Sequence, residues 1–117
     1  MSNRPLLFLL EPSFPDPGVG SGLFFCPHCA TVEGILAYYP AVRERLDVRH
    51  VAFQRPRAAV IEVLGPEHQA CPALVLPPDW TESRAPCRRA HGRIFFVGAG
   101  EIAAFLAEWA GIALPHP

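Results

Sequence analysis

Cys26 and Cys29, two cysteines separated by two residues, are the side chains best able to do chemistry in this chain. Such a pair bridges internally, binds a metal, or exchanges disulfides with another molecule. The residues that follow favour the last of these. From Pro27 onward Val32, Ile35, Leu36 and Tyr39 recur at i, i+3, i+4 and i+7, the spacing of one helix face. Pro27 suits the first helical position, where its missing N–H would go unbonded and its fixed φ is already correct. Cys26 is therefore expected at or just before a helix N-terminus. Free N–H groups and partial positive charge there favour a thiolate. In this reading Cys26 is the nucleophile and Cys29, one turn on, resolves the mixed disulfide. His28 either supplies positive charge or an N–H near the Cys26 sulfur, or is simply an exposed histidine.

The elements that must hold this pair are legible on either side. Leu6 to Leu10 is a five-residue apolar run, suited to a central strand buried on both faces. Glu11 to Gly22 carries three Pro, three Gly and an Asp and is expected to be a loop. It exceeds the usual strand-to-helix connection of about 2–6 residues, and serves either as a substrate-binding lid or as a solvated insertion. The first helix should stop near Tyr39, because Pro40 disfavours helical geometry in the residue before it. After a short charged connection, Val48 to Phe53 is expected as a second strand. Arg55-Pro56-Arg57 then opens a second helix with Val60, Ile61 and Leu64 on one face and Gly65 at its stop. Ala73 to Leu76 forms a third strand, Pro77 to His91 a connection, and Arg93 to Val97 a fourth strand. Glu101 to Ala110 is the last helix, with Ile102, Phe105, Leu106 and Trp109 along one face.

The motif Cys26-Pro27-His28-Cys29, opening a helix after an apolar strand, resembles the thioredoxin superfamily. The dipeptide Pro-His is the one found in bacterial periplasmic disulfide oxidases of that superfamily. Nearly the whole chain is similar to a group of small bacterial thioredoxin-fold proteins of uncharacterised function. The resemblance implies an α/β fold of order β-α-β-α-β-β-α, a four-stranded mixed sheet flanked by helices. It also implies that Pro72, at the start of the third strand, is a cis-proline beside the two cysteines that shapes a substrate groove. Two departures stand out: the long 11–22 segment, and Phe25 where a tryptophan is usual before the first cysteine. Cys71 is a third, since Thr or Val commonly precedes the cis-proline. Beside Cys26 it would serve as a second resolving thiol, a metal ligand, or a small buried hydrophobe.

Composition narrows the function classes. A chain of 117 residues, half of them apolar, is expected to form one domain over 1–117. Its net charge of −1 gives no general attraction to nucleic acid or to an anionic membrane. No apolar run approaches the roughly 20 residues of a membrane span, and Leu6 to Leu10 is short for a signal peptide. A cytoplasmic location is the expectation. There, a CxxC is more often redox-active or metal-binding than a structural bridge. The implied activity is thiol–disulfide exchange with a protein or a small thiol such as glutathione, without a cofactor.

Two rival readings stay open. Cys26, Cys29, Cys71 and either Cys87 or His28 would supply four ligands for zinc or an iron–sulfur cluster. The 16-residue gap between Cys71 and Cys87 is unlike a zinc ribbon, however. The other rival is a non-catalytic module that binds glutathione or a peptide in the groove around Pro72. Cys87 lies among Arg84, Arg88, Arg89 and Arg93, a cluster that either binds an anion or is a solvated loop.

Overall fold

A strand with no polar residue must be covered on both faces, and Leu6–Leu10 occupies such a place. In the computed structural model, which describes residues 3–117, all five of these residues are buried. The elements run β1 (Leu6–Leu10), β2 (Phe14–Pro15), β3 (Leu23–Phe24), α1 (Pro27–Tyr38), α2 (Pro40–Glu44) and β4 (Asp47–Val51). They continue α3 (Ala58–Leu64), β5 (Ala73–Val75), β6 (Arg88–Ala90), β7 (Arg93–Val97) and α4 (Ala99–Ala110). The main sheet has the order β4-β1-β5-β7-β6. Of the paired strands of this sheet only β1 and β4 are parallel, and α1 and α2 supply the crossover that such a pair needs; the other pairs are antiparallel.

Alternation along the strands divides the core into two layers. Leu7, Leu9, Leu74, Leu76, Ile94 and Phe96 point to one face and meet Val32 and Leu36 of α1 and Ile102, Phe105 and Leu106 of α4. Leu6, Phe8, Val75 and Phe95 point to the other and are covered by Val60 and Leu64 of α3. Burial of each such side chain favours folding by about 1.5–3 kcal/mol, so both layers hold the strand ends that frame the cysteines. No helix among the described residues is long and apolar enough to cross a membrane.

The sheet has five strands rather than the four expected. The additional strand, β6, lies in the segment expected to be a connection, and pairs with β7 from Arg88↔Phe95 to Ala90↔Arg93. It turns back through His91 (φ 50°) and Gly92 (φ 70°). Positive φ at both central residues is the hairpin turn whose twist matches paired strands, and a His-Gly dipeptide signals it weakly. The 11–22 segment also contains more order than a loop. Phe14–Pro15 and Leu23–Phe24 pair antiparallel to form a two-stranded ribbon. The charged connection after Tyr39 holds α2, begun by Pro40. At the other end, α4 starts at Ala99 rather than Glu101. Glu101 instead reaches back from its first turn to accept the Val97 N–H at 3.0 Å.

Candidate functional site

The backbone of Cys26 is extended (φ −80°, ψ 112°) and caps α1, with Pro27 in the first turn. Its Sγ accepts the Cys29 N–H at 3.2 Å, so the helix terminus points a free backbone donor at this sulfur. Cys26 is half-buried, whereas Cys29 is 4% exposed and sits below it in the core. The Cys29 Sγ accepts the Leu10 N–H at 3.4 Å. That bond fixes the second cysteine against the end of β1. All four cysteines are free thiols.

Burial, reinforced by a hydrogen bond with the Cys26 side chain and by the charges of Cys26 and Cys71, pushes the Cys29 thiol up to about 12 against a lowering Leu10 N–H bond. The thiolate is the reactive form. At about pH 8 iodoacetamide is therefore expected to label Cys26 well before Cys29, read by peptide mass spectrometry. Equal labelling would show that Cys29 is not sheltered. The sign for stability follows. A thiol raised above the unfolded value of about 8.5 favours the folded state below that pH, and the contribution is lost as pH climbs toward about 12. Stability should fall over that window, and less so in Cys29→Ala.

A cavity of about 270 Å³ opens over the pair, lined by Leu10, Pro12, Phe25, Ala30 and Glu33 besides the two cysteines. Phe25 is 63% exposed at its rim. Burial raises the Glu33 carboxyl, but hydrogen bonds with His50 and Arg43, both at 2.9 Å, outweigh it and hold the carboxyl below its usual value.

On the other side of the pair, the Cys71–Pro72 bond is cis, and the Pro72 carbonyl accepts the Gly98 N–H at 3.0 Å. Cys71 is half-buried between the two core layers. Burial pushes its thiol up and the Cys26 charge adds to this, opposed by the Arg57 and Arg55 guanidiniums and by a hydrogen bond from Arg57. Cys26 and Cys71 both pack against the core layer that holds Cys29, and Pro72 follows Cys71 in the chain. Pro27 lies in the first turn of α1. His28 is exposed, with no hydrogen-bond or ion-pair partner among the described residues.

Cys87 does not join them as part of an arginine cluster. The surrounding arginines are individually engaged: Arg88 with Glu101, Arg89 with the Thr81 carbonyl, Arg93 with the Leu76 carbonyl. Among the described residues, no group of three or more His, Cys, Asp or Glu is disposed to hold a metal ion.

Arg57 is the residue that sequence patterning misses. It is 8% exposed, and its guanidinium donates to the Phe53 carbonyl from Nε (3.1 Å) and Nη2 (2.6 Å) and to the Gln69 carbonyl from Nη1 (2.7 Å). The Phe53 ring in turn stacks on Phe14 of β2, with centroids 4.4 Å apart. An Arg before an amphipathic helix normally marks a solvated end, and nothing in the local sequence signals its burial.

No curated protein and no solved structure matches the chain. Residues 4–114 match the family described as "Protein of unknown function (DUF3088)". With all but the ends of the chain matched, the protein belongs to the DUF3088 family.

Proposed function

We propose that the chain is a thiol–disulfide oxidoreductase of thioredoxin-like architecture, with Cys26 as nucleophile and Cys29 as resolving thiol. The carrying observation is the N-cap geometry: a half-buried Cys26 sulfur accepts a helix N-terminal N–H, above a buried Cys29 one turn away. The order β4-β1-β5-β7, with CxxC after β1 and Pro72 just before β5, supports the architecture. On that view β6 and the β2–β3 ribbon are additions to it.

In the reaction the Cys26 thiolate attacks a partner disulfide. The partner's S–S bond breaks, one partner thiolate departs, and the other sulfur stays bonded to Cys26. Cys29 then attacks the Cys26 sulfur and releases the second partner thiol, leaving a Cys26–Cys29 disulfide. Held as a thiol by burial, Cys29 must give up its proton during this step, and the departing partner thiolate is the natural acceptor. The partner is a protein or a small thiol such as glutathione. In this reading Pro72 shapes the substrate groove, and His28, two residues after Cys26, tunes the thiolate.

A titration against glutathione redox buffers, with alkylation and peptide mapping, tests this reading. The expected result is a reversible Cys26–Cys29 disulfide with a potential of roughly −120 to −270 mV. A pair that stays reduced across the titration, or that carries stoichiometric metal, would sink it.

A further inference from the structure

Three thiols, rather than two, converge on the end of β1. The antiparallel β1–β5 register pairs Leu6 with Val75, Leu7 with Leu74 and Phe8 with Ala73. That pairing ends at Phe8 and Ala73, and Cys71 lies two residues before Ala73, just past this end of β5. Leu10 is the residue whose N–H is bonded to the Cys29 sulfur, and Cys29 donates its own N–H to the Cys26 sulfur. Cys71 packs against the same core layer as Cys26 and Cys29, and it feels the charge of Cys26 directly.

The surroundings of the two candidate resolving thiols differ. Cys29 is the more deeply buried, and no cation is among the groups that act on it. Cys71 lies at the entrance to β5 beside the Arg57 guanidinium, itself buried, with Arg55 nearby. None of the ion pairs among the described residues gives Arg57 a carboxylate. A buried guanidinium without a counter-anion favours negative charge on any group within reach, and at the Cys71 sulfur it opposes the rise that burial imposes.

We infer that Cys71 is a second resolving cysteine, which attacks the Cys26 mixed disulfide from the Pro72 side and gives a Cys26–Cys71 disulfide. This rests on the exchange reading above. The step balances: the Cys71 thiolate bonds to the Cys26 sulfur, the Cys26–partner bond breaks, and the partner leaves as its thiolate. No further oxidant is consumed, because the two electrons removed from Cys26 and Cys71 are those gained by the partner disulfide. Attack by Cys29 on the Cys26 sulfur then converts this bridge to Cys26–Cys29 and frees Cys71. The arrangement gives the nucleophile an escape on either side. A bulky partner covering Cys29 can still be released through Cys71.

The decisive comparison is between Cys29→Ser and Cys29→Ser/Cys71→Ser, each reduced and then exposed to glutathione disulfide. Free thiols are alkylated at intervals, and adducts and bridges are mapped by mass spectrometry without reduction. Cys29→Ala, alone and combined with Cys71→Ser, repeats the comparison in case a hydroxyl at this buried position disturbs folding. In the single variants the Cys26 glutathione adduct should decay into a Cys26–Cys71 disulfide. Its lifetime should be shorter than in the double variants by at least about tenfold, the change that one pKa unit of thiolate population produces. An adduct equally long-lived with and without Cys71 overturns the inference while leaving the exchange reading intact. Failure of Cys26 to form an adduct in any variant overturns both.

Discussion

Cys26→Ser is expected to lose disulfide exchange to background, a fall of roughly 10³-fold or more, while folding as well as the wild type. The two halves of this expectation have separate physical grounds. A serine hydroxyl is scarcely ionised near neutral pH and cannot form the mixed disulfide, so the first step has no nucleophile. As a structural group, however, serine is among the preferred N-cap residues. Its Oγ can accept the same Cys29 N–H that the Cys26 sulfur accepts at 3.2 Å. The cap is kept and the chemistry removed, so a lost activity cannot be assigned to a damaged helix.

The measurement is release of chromophore from a small aromatic disulfide, alongside a thermal melt of the same preparation. Activity surviving in Cys26→Ser would move the nucleophile to Cys71 or Cys87, both half-buried, and end the assignment of Cys26. Cys29→Ser provides the internal contrast. It keeps the first step and should still release the first equivalent of chromophore, because Cys26 and its helix terminus remain; a second equivalent can follow only through Cys71. The two substitutions thus separate attack by Cys26 from release through Cys29.

The sequence was informative where pattern and burial coincide. β1, α1, α3, β5, β7 and α4 each carry an apolar face at strand or helix spacing. The structure keeps each of them to within a few residues of the expected bounds. The position of the cysteine pair was equally legible, since Pro27 marks the first turn of α1 from the residues alone. What escaped has short range or no apolar signature. β6 reads Arg88-Arg89-Ala90, exposed save for its half-buried last residue, and its existence rests on backbone pairing with β7. The β2–β3 ribbon has two residues per strand and is held by Phe14 stacking on Phe53, 39 residues later in the chain. Arg57 was read as the polar opening of α3, and its burial depends on carbonyls that lie on either side of that helix. A local pattern carries no information about such partners.

Arg57 is accordingly where a single substitution outside the thiols should cost the most. Its guanidinium bridges Phe53, just after β4, and Gln69, two residues before Cys71, while its backbone N–H donates to the Gln69 Oε1 at 2.8 Å. Gln69 is fixed in turn by donating to the Pro66 carbonyl at 2.9 Å. The clamp therefore spans both connections of α3 and anchors the segment that delivers Cys71 and Pro72 to the site. Arg57→Leu keeps the apolar stem and the backbone bond but leaves the two carbonyls without their charged donor. Hydrogen bonds to charged groups are worth about 1.5–3 kcal/mol each, against which the desolvation of the lone guanidinium must be set. A net loss of about 3 kcal/mol is the expected balance. In urea this appears as a lower midpoint with an unchanged slope. Arg57→Lys retains a cation but cannot span both carbonyls, and should fall between the two. Removing the guanidinium also withdraws one of the influences that hold the Cys71 thiol down, so Cys71 should react more slowly with iodoacetamide at the same pH. A Leu variant as stable as wild type would mean that burying the charge costs as much as its bonds return. The connections of α3 would then be held by the apolar layer of Phe8, Val60, Leu64 and Phe95 instead.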